Sequence, residues 1–282
     1  MKKVINIILS HIYKILQYLS IDIAIGSIGS SVFAVSVVDT KLPTAYWLIL
    51  PLCVWIIYTS DHLLDAIKLK EQATMERHYF HFLHRKTIGV FLCLAVILSA
   101  ILILRYLDKE VMMYGLWIYI FILMYLIVNH FVSRIFKFFP REFIIAFGYM
   151  AGTWGIPLLS KYPGISRSYL LFFLNYFLII LAIPLLYSIY EYDADRAAGF
   201  ISFATTFGVK ITGMIVLILL TISTFISSVS LFLFQSNLGI LMILMAAVLF
   251  AVFIFRKQLS VNDKYRSISD SVSFLPFLLL LK

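Results

Sequence analysis

Long apolar runs recur from one end of this chain to the other, and no other feature limits its fold as much. Crossing a hydrocarbon layer of about 30 Å takes about 20 apolar residues in a helix. Runs of that kind lie at Leu19–Val38, Ala45–Ser60, Ile88–Leu107, Val111–Phe131, Phe143–Leu159, Tyr169–Tyr190, Ile211–Phe234, Gly239–Phe255 and Ser271–Leu281. The expected fold is therefore all-α: one membrane-embedded domain over residues 1–282, a bundle of nine transmembrane helices. With 62% hydrophobic and only 13% charged residues, the chain has about half the charge of a soluble protein, where roughly 25% is usual. It has too little polar surface to face water as a globular domain.

The placement of charge says more than its sum of +9. With the N-terminus in the cytoplasm, Lys41, Arg105, Lys109, Lys161, Arg167 and Lys282 are the only Lys and Arg on the far side, out of 23. That asymmetry is the positive-inside signal of a multi-pass protein, and the long Phe/Ile/Leu runs without a transit peptide suggest the inner (plasma) membrane. Basic residues scattered in short clusters between apolar runs exclude a nucleic-acid face. Residues 1–18 follow Met1-Lys2-Lys3 with an amphipathic stretch and no small-residue cleavage site, which reads as an interfacial helix. Cys53 and Cys93 both lie inside apolar runs and read as small buried hydrophobes.

Acids are scarce, yet five of the fourteen cluster at the inner ends of two spans. The second span ends in Asp61-His62-Leu63-Leu64-Asp65, the sixth in Glu191-Tyr192-Asp193-Ala194-Asp195. Residues four apart share a helix face, so Asp61 pairs with Asp65 and Glu191 with Asp195, while Asp193 points elsewhere. Carboxylates at a membrane edge are costly and mark function. Mg²⁺ takes oxygen ligands, typically one or two carboxylates plus substrate phosphates, so two facing pairs are suited to holding Mg²⁺ against a diphosphate. A polar cap loop over residues 66–87 carries Lys68 and Arg77, whose charges suit phosphate oxygens; a second cytoplasmic loop spans 191–210. His78, His81 and His84 recur every three residues in the cap loop without an evident fourth ligand. Gly26, Gly29, Gly148, Gly152 and Gly155 suit close helix packing, and Pro184 should kink the sixth span.

These residues resemble the UbiA-type intramembrane prenyltransferase superfamily, which has nine helices and two acid motifs, NDxxDxxxD after the second span and DxxxD after the sixth. Asp61 and Asp65 match the last two acids of the first motif. Glu191 and Asp195 match the second, with Glu in place of Asp. Pro140-Arg141 resembles a basic position facing the family's substrate cavity. The chain departs from the pattern at Ile57 and Tyr58, where Asn and the first Asp would stand, and at Ile201, where a Lys is usual. Those departures imply either a weakened metal site or a different way of holding the diphosphate.

The resemblance implies transfer of a prenyl group from a prenyl diphosphate to an aromatic or other small lipophilic acceptor. Asp61, Asp65, Glu191 and Asp195 would be the catalytic and Mg²⁺-binding residues, with Lys68, Arg77 and Arg141 on the diphosphate. Tyr149, Tyr187, Tyr190 and Trp154 would shield an allylic cation with their ring faces. Asn129, His130 and Asn175 would orient the acceptor, although interhelical hydrogen bonding also explains Asn175. Two other readings use the same fold: a membrane terpene cyclase, and an inactive lipid-binding scaffold or transporter.

Overall fold

The computed structural model of the chain describes residues 12–72, 75–132, 140–234 and 237–281. Among these residues the fold is all-helical, without a strand. Residues 12–18 are helical; the rest of the expected interfacial helix lies outside the described residues. The long helices are α1 (Ile21–Val38), α2 (Tyr46–Leu69), α4 (Arg85–Tyr106), α5 (Lys109–Ile127), α6 (Arg141–Leu159), α7 (Arg167–Tyr190), α10 (Val209–Phe234) and α11 (Asn237–Ile254). Between them lie the shorter α3 (Glu76–Leu83), α8 (Tyr192–Ala198) and α9 (Phe203–Phe207). After α11 come α12 (Lys264–Ser271) and a 3-10 segment, Val272–Leu281.

Eight helices among the described residues are long and apolar enough to cross a membrane. The ninth expected span is different. Val272–Leu281 is a 3-10 helix of ten residues with Pro276 inside it. At about 2.0 Å rise per residue it reaches about 20 Å, short of the hydrocarbon thickness. It packs along α1 instead. α2, in contrast, runs 24 residues and continues well past Ser60, so Asp61 and Asp65 sit on its last turns rather than in a loop. The expected cap loop is itself largely helical: after α2 it forms a short 3-10 turn, Lys70–Gln72, and then α3. Lys14 and Tyr18 both hydrogen-bond to Glu76, tying α3 to the N-terminal helix.

α7 is apolar around most of its circumference and, from Asn175 onward, forms the buried centre of the bundle. Ile179, Leu186 and Tyr176 are fully buried, packed with Leu220 of α10 and Met242, Met245 and Leu249 of α11. Phe33, Trp154 and Tyr176 form an aromatic triangle with centroids 5.0–5.9 Å apart. Trp154 thereby belongs to the core. Polar side chains among these helices find one another: Tyr176 donates to Ser30 at 2.8 Å, and Asn175 to Ser227 at 2.9 Å. That pairing gives Asn175 the interhelical role. α4 and α5 present Leu104 and Trp117 outward, 75% and 67% exposed, as lipid-facing residues would be.

The glycines act through close approach. A Cβ on Gly29 would collide with the backbone carbonyl of Ser273, and one on Gly26 would lie 2.9 Å from Ser273 Cβ. They seat the 3-10 segment against α1. A Cβ on Gly155 would collide with the Tyr114 hydroxyl, which donates to the Ala151 carbonyl at 2.9 Å. α5 and α6 thus touch nearly backbone to side chain.

Candidate active site

The C-terminal ends of α2 and α7, the N-terminal end of α6, and the shorter α3 and α12 border one partly open cavity of about 130 Å³. Its polar wall holds Asp61, Asp65, Arg77, Arg141, Glu142, Glu191, Arg266 and Asp270. Its apolar wall holds Ile145, Ala146, Ile180, Ile183 and Pro184, with the rings of Tyr58, Tyr149 and Tyr187 between the two. Pro184 has no N–H to offer the Ile180 carbonyl, so α7 lacks one of its own hydrogen bonds where it borders this space.

Asp61 and Asp65, one turn apart, approach His130 of the π-helical turn Val128–Val132, whose Nε2 lies 3.6 Å from Asp61 Oδ1 and 3.2 Å from Asp65 Oδ1. Asp61 Oδ1 is buried without a hydrogen-bond partner. Glu191 caps α7, and Asp195 N–H donates to its carbonyl at 2.8 Å, so these two acids keep the one-turn spacing across the junction with α8. Their surroundings are crowded with cations. Arg77 Nη2 lies 3.1 Å from Glu191 Oε2; Tyr265 donates to Oε1 at 2.7 Å; and Arg266 pairs with the same oxygen. Arg141 Nη2 stands 3.6 Å from Asp195 Oδ2. Burial pushes the Asp195 carboxyl up to about 6, with Arg141 opposing the shift.

Several of the expected site residues converge and others do not. Asp61, Asp65, Arg77, Arg141, Tyr149, Tyr187 and Glu191 all line the cavity. Asp195 reaches it only through Arg141. Tyr190 donates to the Val252 carbonyl at 2.7 Å and stacks on Tyr265 with centroids 4.1 Å apart, so it supports α12 rather than the cavity. Lys68 Nζ sits 4.9 Å above the Phe200 ring, and neither it nor Asn129 is in the lining. His78 and His81 turn inward against His62, with ring centroids 6.1 and 5.4 Å apart, while His84 packs on Phe80. Burial pushes the His78 imidazole down to about 3.

Three residues of α12 were not expected: Tyr265, Arg266 and Asp270. Arg266 lies 4.4 Å from the Tyr187 ring centroid, and Tyr187 donates to Asp270 Oδ1 at 2.5 Å. Glu142 is a further surprise, with Oε1 accepting from the Phe203 N–H at 2.8 Å and Oε2 buried without a partner. Their meeting with Glu191 and Tyr187 is long-range in sequence. The one signal in the sequence is a base and an acid, Arg266 and Asp270, spaced four apart just before an apolar run.

Among the described residues, no three His, Cys, Asp or Glu side chains are grouped to hold a metal ion. Mg²⁺ asks less when phosphate is present, taking one or two carboxylates. Asp61 and Asp65 fit that requirement: at the cavity wall, Asp61 Oδ1 accepts no hydrogen bond and has only His130 Nε2 nearby, at 3.6 Å. Glu191 does not, because hydrogen-bond donors already occupy both of its oxygens.

No family model matches the chain, and no curated protein sequence matches it. Among solved structures, the chain is similar to the apo structure of a UbiA homolog from Aeropyrum pernix K1, with a TM-score of 0.65 over 92% of this chain and 96% of that one, at 13% identity. It is also similar to a structure of digeranylgeranylglyceryl phosphate synthase, with a TM-score of 0.52 over 94% of this chain and 96% of that one, at 15% identity. At these identities the likeness is one of architecture, and the chain is an all-helical, multi-pass membrane protein of the UbiA-type fold.

Proposed function

We propose that this protein is an intramembrane prenyltransferase that moves a prenyl group from a prenyl diphosphate to a small lipophilic acceptor. The observation that carries the reading is the two-sided cavity. Asp61, Asp65, Arg77, Arg141 and Arg266 line one wall, and aliphatic and aromatic side chains line the other. That division suits an amphiphile with a phosphorylated head and an isoprenoid tail. The asymmetry of Lys and Arg along the chain supports a cytoplasmic mouth.

A Mg²⁺ ion held by Asp61 and Asp65 would supply positive charge to the leaving diphosphate when bound. The chain's own residues do the rest. Arg77, Arg141 and Arg266 bring planar guanidiniums to the cavity wall, and the N–H groups that Arg77 and Arg266 do not spend on Glu191 are suited to phosphate oxygens. Stabilising charge as it develops on a leaving group is the largest catalytic contribution such a site makes. The Tyr58, Tyr149 and Tyr187 rings border the space between the two walls, where a π face favours a developing allylic cation. Ile145, Ala146, Ile180 and Ile183 exclude water that would otherwise capture it. Tyr58 stands where the resembled family carries its first Asp, so one carboxylate is exchanged there for a ring.

The test is product analysis on purified protein in lipid nanodiscs, given a panel of prenyl diphosphates with and without aromatic or quinone-precursor acceptors. Mass spectrometry should detect a prenylated acceptor that depends on both substrates. A cyclised hydrocarbon formed without acceptor would point to a terpene cyclase. Recovery of every prenyl diphosphate unchanged would point to a scaffold and refute the enzyme reading.

A further inference from the structure

Glu191 stands where a second metal ligand is expected, yet its surroundings suit a different task. Its carboxylate, 6% exposed, receives Arg77 at 3.1 and 3.4 Å. The Tyr265 hydroxyl at 2.7 Å and the Arg266 guanidinium complete the set. A cation could reach these oxygens only by displacing two buried guanidiniums, which would then face each other unpaired. Asp61 is far less encumbered: its Oδ1, at the cavity wall, accepts no hydrogen bond and meets only His130 Nε2, at 3.6 Å.

The two guanidiniums are also fixed from behind. Arg77 Nε donates to His78 Nε2 at 3.2 Å, and the Arg77 carbonyl is 2.9 Å from His81 Nδ1. Arg266 lies over the Tyr187 ring at 4.4 Å. Both side chains are nearly buried, 14% and 12% exposed, and both line the cavity that Asp61 and Asp65 line. Two guanidiniums meet the one carboxylate of Glu191 on this side of the lining, with Asp270 beside them on Tyr187. The two guanidiniums are a preformed anion clamp, arranged opposite the acidic pair.

Resting on the prenyl diphosphate reading above, we propose that the cavity takes one divalent ion rather than two. Asp61 and Asp65 hold that ion against one phosphate. Arg77 and Arg266, clamped by Glu191, take the other phosphate in place of a second metal. Glu191 is then a positioning residue and not a metal ligand.

Manganese binding to the full-length protein in detergent, with inorganic pyrophosphate present, tests this by the electron paramagnetic resonance signal of free Mn²⁺. One Mn²⁺ per chain is expected. Glu191→Gln should keep that stoichiometry while weakening pyrophosphate binding, and Arg266→Ala should weaken pyrophosphate about tenfold or more, as loss of a charged hydrogen bond does. Asp61→Asn should abolish Mn²⁺ binding. Two Mn²⁺ ions on the wild-type chain, or loss of Mn²⁺ in Glu191→Gln, would overturn the one-ion proposal and leave the prenyltransferase reading standing. A wild-type chain that binds neither Mn²⁺ nor pyrophosphate would sink both. The wild-type count alone decides between one ion and two, however well any variant folds.

Discussion

Asp65 and Asp193 are both acids at the end of an apolar helix, yet their environments differ sharply. Asp65 is 8% exposed, lines the cavity and stands 3.2 Å from His130; Asp193 is exposed. Electrostatic groups that face a developing charge are worth about 10²–10³ in rate. Asp65→Asn should therefore lower turnover by about that factor in steady-state assays of prenyl transfer. Asp193→Asn should stay within about twofold, as exposed substitutions generally do. Equal losses in the two variants would contradict the assignment. This distinction was legible in the sequence, because four-residue spacing pairs Asp61 with Asp65 and Glu191 with Asp195 and leaves Asp193 aside. What each pair faces was not legible. Arg266 and Tyr265 meet Glu191 from more than 70 residues away, and no local pattern encodes that meeting. Tyr190 and Tyr187 look alike in sequence, three residues apart on one helix, and both meet α12, but only Tyr187 also borders the cavity.

Helices α1 and α6 show how elements are positioned by what they lack. Gly29 lets the backbone at Ser273 lie against α1, and a Cβ there would meet that carbonyl. Backbone cannot yield as a flexible side chain can, so Gly29→Val should destabilise by about 1–3 kcal/mol, the usual cost of overpacking. Gly89, where an added Cβ would meet nothing within 4 Å, is the control: Gly89→Val should shift the detergent melting temperature far less. A smaller loss at Gly29 than at Gly89 would refute the packing role. The sequence revealed the glycine-rich stretches but not their partners. It also offered the last apolar run, shorter than the others, as a ninth span. Ten residues with Pro276 among them are too few to continue as a crossing α-helix, and the seat on α1 gives them a 3-10 course. The end of α2 erred the other way: polar residues from Asp61 onward ended the apolar run, while the helix continued because the cavity accommodates them.

At the scale of the whole molecule, the bundle brings a negative pair and a positive clamp to one opening above an apolar wall. Apolar run length and spacing announced the membrane bundle, because lipid dictates both. The opening depends on contacts between α2, α3, α6, α7 and α12, which no single stretch records. A structure of the full chain in nanodiscs with a nonhydrolysable prenyl thiodiphosphate and Mg²⁺ tests the central claim most directly. The expected result is a diphosphate bridging from a single ion at Asp61 and Asp65 to the guanidiniums of Arg77 and Arg266, with the prenyl chain along Ile145, Ile180 and Ile183. A phosphorylated head bound away from those four polar side chains would contradict it.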